Sequence, residues 1–269
     1  MSRAPRTPAW TVIGAGSILP RAGYGCAGYA LGAAEDGPAT LFDCGPGTVR
    51  ALGALGIELT RVTRVVLSHF HPDHCLDLFA LAFARTNPNL AGVPAIELVG
   101  PRGLGRWLED GARALGGWTR FRDATVREVE PEPHVQWLEL AGLRLSWVHN
   151  RHTDTSLSWR AELPDGASVT YTGDTCEDPA VAELARETDL FVAECSFPDE
   201  AAVPNHLTPS SAARLARDAR ARRLVLTHFY PETDPEEARR VAARTFAGPI
   251  ELARDGARFA VERASREDE

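Results

Sequence analysis

The sequence predicts one α/β domain over residues 1–269. Three observations predict it. Strand-like apolar runs alternate with helix-like stretches, the latter at 103–114, 179–187, 209–219 and 235–245, an alternation typical of α/β architectures. No long Ser/Gly linker and no internal repeat divides the chain, and its length suffices for one full core. The residues able to do chemistry follow strand-like runs, which puts them on the rim of a sheet.

Taken in order, Val65-Val66-Leu67 is apolar and β-branched and reads as a buried strand. Ser68-His69-Phe70-His71-Pro72-Asp73-His74 reads as the loop after it, and Leu76-Asp77-Leu78-Phe79-Ala80-Leu81-Ala82 as a helix. The proline-containing stretches 85–94 and 129–133 read as loops. Leu145-Ser146-Trp147-Val148, Ala167-Ser168-Val169-Thr170 and Leu224-Val225-Leu226-Thr227 read as further strands. Thr208 before Pro209 pairs an N-cap residue with proline at the first helical position, which starts the 209–219 helix. The charged tail beyond Ala264 is expected to fray.

From His69 to His74, three imidazoles and one carboxylate occupy six positions. His and Asp together suit a borderline cation, Zn²⁺ first, with Mn²⁺ or Fe as alternatives. Two cations roughly 3.5–4 Å apart need about seven protein ligands and a bridging water. Further candidates stand at strand ends: Asp174, where Gly173 lets the backbone approach closely, His228, and the segment His149-Asn150-Arg151-His152.

The block His69-Phe70-His71-Pro72-Asp73-His74 resembles the H-x-H-x-D-H signature of the metallo-β-lactamase superfamily. Leu41-Phe42-Asp43-Cys44-Gly45-Pro46-Gly47-Thr48 resembles the strand and turn before that signature, and Ile250-Glu251-Leu252-Ala253-Arg254-Asp255-Gly256 the last strand and turn. The resemblance implies a four-layer αβ/βα sandwich with metals at one sheet edge. It implies that His69, His71 and a third-motif histidine hold one cation, that Asp73, His74 and His228 hold the other, and that Asp174 bridges them. His149 and His152 compete for the third motif. The ribonuclease Z-like branch carries a His, a Ser four later and an Arg four beyond; His152, Ser156 and Arg160 fit that spacing and His149 does not. Asp43 is either a partner to a ligating imidazole or a turn residue satisfying the Gly45 or Gly47 backbone.

His152-Thr153-Asp154-Thr155-Ser156 lacks the glycine of the thioester-hydrolase branch. Ala193-Glu194-Cys195-Ser196-Phe197 and His206-Leu207-Thr208 resemble the Glu-Ala-Thr-Phe and His-Ser-Thr segments of ribonuclease Z, in which the Glu orients the His and the His protonates the leaving alkoxide. Glu194 and His206 inherit those roles by resemblance; otherwise Glu194 is a strand-end residue and His206 flanks the following helix. A carboxylate bonded to imidazole raises its pKa and fixes its tautomer, which suits a general acid near neutral pH. The expected reaction is phosphodiester hydrolysis by a metal-bridging hydroxide, with Asp73 both ligating and positioning the nucleophile. Hydrolysis of a sulfate ester, thioester or lactone on the same fold is the alternative. A non-catalytic binding module is disfavoured because every ligand position is filled.

The rest of the chain narrows the class. No apolar run approaches the ~20 residues that span a membrane, and residues 1–10 lack an apolar signal core, so the cytoplasm is the expected location. Five cysteines without a Cys-x-x-Cys pair suggest reduced thiols. Cys75 adjoins His74 and Cys176 lies two past Asp174, but the His/Asp set is complete without them, so both read as small packing residues. Trp159 is read as core ahead of base stacking, and Arg160 either binds a phosphate oxygen or pairs with a structural carboxylate. A net charge of −8 and a pI near 5.5 disfavour long nucleic acids, whose affinity comes from phosphate neutralisation. The run Arg220-Ala221-Arg222-Arg223 reads as a solvated helix end. In bacterial ribonuclease Z a tRNA-gripping arm sits between the third motif and the Gly-Asp strand, and here only 21 residues separate His152 from Asp174. The expected substrate is therefore a small or short single-stranded phosphodiester such as a cyclic nucleotide. tRNA 3′ processing ranks below it, and a homodimer is what the resemblance suggests.

Overall fold

The computed structural model describes residues 7–32 and 37–263. The expected fraying beyond Ala264 lies outside the described residues. Strands β1 (Ala9–Gly14), β2 (Gly28–Gly32), β3 (Ala39–Cys44), β4 (Val62–Val66), β5 (Ile96–Pro101) and β6 (Ala124–Val129) lie side by side in one sheet. Strands β7 (Gln136–Leu140), β8 (Leu143–His149), β9 (Leu157–Glu162), β10 (Ser168–Tyr171), β11 (Leu190–Glu194), β12 (Leu224–Thr227) and β13 (Ile250–Leu252) form the second. The chain then returns to the first sheet, where β14 (Arg258–Ala260) pairs antiparallel with β1. The segment expected to be the last strand, at Ile250, is thus the penultimate one.

Within each sheet, β3 to β6 and β10 to β13 run parallel. The sequence explains why. β10, β11 and β12 read Ser-Val-Thr-Tyr, Leu-Phe-Val-Ala-Glu and Leu-Val-Leu-Thr, and every residue in them is buried. Strands buried on both faces need cover on both faces. Helices α1 (Thr48–Ala54), α2 (Pro72–Cys75), α3 (Asp77–Ala84) and α4 (Leu104–Leu115) cover the first sheet, and α5 (Pro179–Leu184), α6 (Pro209–Asp218) and α7 (Pro235–Ala242) the second. Between the sheets lies a core of Trp10, Tyr29, Phe42, Trp159, Tyr171 and Val192 among others. The result is the expected four-layer αβ/βα sandwich. The parallel strands β3, β4, β10, β11 and β12 end on one rim, where loops can converge.

Several local expectations change. Asp73 and His74 lie on the single-turn helix α2, opened by Pro72, and not on a loop. α5 stops at Leu184. Trp159 is fully buried and its Nε1 donates to the Leu67 carbonyl, so it is core. Arg160 donates to the carbonyl of Leu184 at the end of α5 and of Arg186 beyond it and pairs with Glu162, so its guanidinium serves structure. Arg222 and Arg223 face Asp189 and Glu251 and make no free basic patch. All five cysteines are free thiols. Among the described residues no helix is long and apolar enough to cross a membrane.

Candidate metal centre

Three strand ends and one helical turn build the site. After β4, Ser68 and His69 are fully buried, and α2 carries Asp73 and His74 inward. After β10 the chain turns at Gly173, whose φ of 58° is left-handed and where a Cβ would stand 2.8 Å from that of Ser68. Only glycine fits that approach, and it aims Asp174 into the centre. After β12, His228 holds a left-handed φ of 57°, rare for a residue with a side chain. Such strain persists where surrounding structure over-determines it.

The side chains converge in two groups. His69, His71, His152 and Asp174 offer ligand atoms within 4.8 Å of one another, and so do Asp73, His74 and His228. Asp174 faces both: its Oδ2 is 3.8 Å from His152 Nε2 and 4.0 Å from His69 Nε2, and its Oδ1 is 3.3 Å from His74 Nε2 and 3.5 Å from His228 Nε2. Asp73 Oδ2 stands 3.5 Å from His228 Nε2. His149 is elsewhere; its Nε2 donates to the Thr153 carbonyl at 2.8 Å. Neither Cys75 nor Cys176 belongs to either group.

Partners around the centre set the imidazole tautomers. His74 Nδ1–H donates to Asp43 Oδ2 at 2.7 Å. Ser68 Oγ gives its one hydrogen to Asp43, so it accepts from His69 Nδ1–H at 2.9 Å. His152 Nδ1–H donates to the Asn205 carbonyl at 2.9 Å. Ser196 Oγ gives its hydrogen to Glu194 and so accepts from His228 Nδ1–H at 3.1 Å. Nδ1 is thereby engaged in four imidazoles, and Nε2 of each is left to face the centre. His71 presents Nδ1, 3.0 Å from His152 Nε2.

Imidazole nitrogens crowded this closely need a proton or a cation between them. His69 Nε2 and Asp174 Oδ1 are buried without a hydrogen-bond partner, which is costly unless something positive is bound there. Burial pushes His69 and His71 below the usual imidazole range, His69 furthest. Burial works the other way on Asp174, but the charges of His228 and His74 outweigh it and hold its carboxyl well down. His74 is raised despite its burial, because Asp174 and Asp43 flank it. The centre attracts positive charge, and its donor set fits divalent cations.

A second constellation borders the first. His206 Nδ1–H donates to Glu194 at 3.1 Å and lies 3.9 Å from Asp174 Oδ2. Glu194 is buried and also accepts from the Thr175 amide at 2.7 Å. Burial alone would depress His206; the bond to Glu194 reverses that and raises it.

Sequence reasoning left several supporting residues without a role. Asp43, left open between two uses, accepts from the Ser68 amide, Ser68 Oγ, His74 and Tyr171 Oη. Ser68 precedes His69 and Ser196 lies within the Glu194–Phe197 segment, and that placement was the available signal. Buried Asn150 donates to the carbonyls of Thr172 and Asp174 and so pins the Gly173 turn. Asp43→Ala is expected to weaken metal binding by about 10–100-fold, since partners of metal ligands act at that scale. Calorimetric titration with Zn²⁺ checks this, and unchanged affinity would remove Asp43 from the supporting shell.

Comparison with known proteins agrees with this fold. The family model for the beta-lactamase superfamily domain matches residues 39–229. The Mycobacterium leprae protein ML1173 is 33% identical over 266 residues, covering 95% of this chain and 89% of its own. Ribonuclease Z of Mycobacterium marinum is 27% identical over 269 residues, covering 91% and 95%. The metallo-β-lactamase fold protein YhfI of Bacillus subtilis superposes with a TM-score of 0.81 at 23% identity, covering 94% and 99%. Matched along most of its length and folded in the same way, the chain belongs to the β-lactamase superfamily as a metal-dependent hydrolase of the metallo-β-lactamase fold.

Proposed function

We propose that the protein hydrolyses small or short single-stranded phosphodiesters, cyclic nucleotides among them, at a centre of two divalent cations, with zinc as the first choice. The observation that carries this reading is the Glu194–His206 pair standing beside Asp174. A phosphodiester loses a poor alkoxide, and that oxygen needs a proton on departure; hydrolysis of a thioester makes no such demand. Relatives named ribonuclease Z support the same reading.

His69, His71 and His152 would hold one cation, Asp73, His74 and His228 the other, and Asp174 both. Cations in these positions supply Lewis acidity and lower the pKa of a bound water to about 7. Asp73 would orient the attacking water as well as help hold a cation. His206, whose Nδ1 is engaged by Glu194, presents its proton on Nε2 to the leaving oxygen. Glu194 holds that ring in place and favours its charged form. Asn150 and Asp43 keep Asp174 and His74 from turning away. A net charge of −8 and the direct path from β8 through β9 to β10 favour small substrates over a long RNA.

The pH dependence follows from the Glu194 contact. A general acid works below its pKa, so its contribution is lost as pH rises through that value. Glu194→Gln removes the charge that raises His206, so the alkaline limb of kcat/KM is expected to move to lower pH. An unmoved limb would show that His206 is not the titrating acid.

The reading is tested with bis(p-nitrophenyl) phosphate and Zn²⁺- or Mn²⁺-loaded protein. Turnover that a chelator abolishes supports it. A fully metallated protein that ignores the diester but cleaves a thioester, lactone or sulfate ester contradicts it.

A further inference from the structure

The wall beside His206 is aromatic. The Phe197 ring lies 5.4 Å from the His206 ring and stacks on Tyr230, with centroids 4.7 Å apart and planes at 27°. Tyr230 in turn stands 6.2 Å from His206 and 5.8 Å from His228, edge-on to both. Both residues are half-buried, so neither is sealed into the core. Among the described residues Tyr230 Oη has no hydrogen bond with protein, so its hydroxyl is not what holds it there.

The wall is rigid. Thr233 Oγ1 donates to the Ser196 carbonyl at 2.7 Å, which ties the loop carrying Tyr230 to the one carrying Phe197. Arg21, reaching from the loop between β1 and β2, donates to the Thr233 carbonyl at 2.9 Å. Two aromatic rings held this way beside a polar centre cost apolar exposure, and no part of the proposed cation set uses them.

Position says what they face. His206 Nδ1 is taken by Glu194, so a proton leaves from Nε2, and the leaving group must lie against that edge. Phe197 and Tyr230 flank the same imidazole. We infer that these two rings form the subsite for the leaving group, and that this group carries a planar base, so the favoured diesters are those of nucleosides rather than of aliphatic alcohols. The inference rests on the phosphodiester reading and narrows it. Base–aromatic stacking tolerates different bases, because each has a π face, so the subsite selects for a base without choosing strongly among bases.

The test compares adenosine 5′-monophosphate with ribose 5-phosphate, which share sugar and phosphate and differ in the base. Their affinities for Zn²⁺-loaded protein are measured by calorimetry, with bis(p-nitrophenyl) phosphate turnover recorded alongside. Wild type is expected to prefer the nucleotide by about tenfold or more. Tyr230→Phe keeps the ring and should keep that preference. Tyr230→Leu and Phe197→Leu should each bring the ratio toward one, with zinc content unchanged. A wild-type ratio near one, or a ratio that survives both leucine variants, overturns the inference even where the diester is turned over. Absence of diester turnover with the ratio intact overturns the phosphodiester reading instead and leaves the aromatic subsite standing.

Discussion

His206→Ala is expected to lower kcat by about 10²–10⁴-fold toward a diester whose leaving group is an alkoxide, the range attributable to one positioned general acid. The loss should be much smaller toward bis(p-nitrophenyl) phosphate, because nitrophenolate departs without a proton. The contrast isolates proton donation from damage to the centre, since damage would depress both substrates alike. His206 is half-buried and its bonded partner, Glu194, keeps the Thr175 amide and Ser196 hydroxyl when the imidazole is removed. The fold should therefore tolerate the change. Equal losses on the two substrates would show that His206 supports the site in another way.

Metal removal should have the second large effect, this time on stability. Two buried atoms, His69 Nε2 and Asp174 Oδ1, have no hydrogen-bond partner, and imidazole nitrogens face each other at 3.0 Å and 3.2 Å. A cation bound there stabilises the native state by mass action. At free Zn²⁺ near one thousand times Kd, one site contributes about 4 kcal/mol. For a domain of about this size that corresponds to a Tm rise of about 8–16 °C. Asp174→Ala removes the side chain that faces both groups, and most of that rise should vanish with it. Differential scanning calorimetry with and without chelator measures this, and a Tm insensitive to metal would argue that the centre binds none.

Much of the fold and of the centre was legible in the sequence, for physical reasons. Apolar runs such as Val65-Val66-Leu67 and Leu224-Val225-Leu226 have one good use, the interior of a covered parallel sheet. The residue after such a strand lies on the rim, so His69, Asp174 and His228 could be placed without coordinates. The choice between His149 and His152 was harder. They lie three residues apart; the spacing to Ser156 and Arg160 favours His152, and in the fold it is the His152 ring that stands beside Asp174. The helical turn of α2 was missed because four residues are too few to show a period. Arg160 was placed near the site by analogy of spacing. In the fold its neighbour Trp159 turns into the core, and Arg160 itself turns to the carbonyls after α5. Ser68, Ser196 and Asn150 lie inside the motif segments, but their roles each depend on hydrogen bonds that spacing does not encode.

Counting the metal tests most directly whether the two groups of donors are two cation sites joined by Asp174. Apo protein titrated with Zn²⁺ by isothermal calorimetry, with the bound metal measured by elemental analysis, should take up two ions per chain, and the Asp174→Ala variant should fail to retain both. One ion or none in the wild type, or two held as tightly without Asp174, would contradict it.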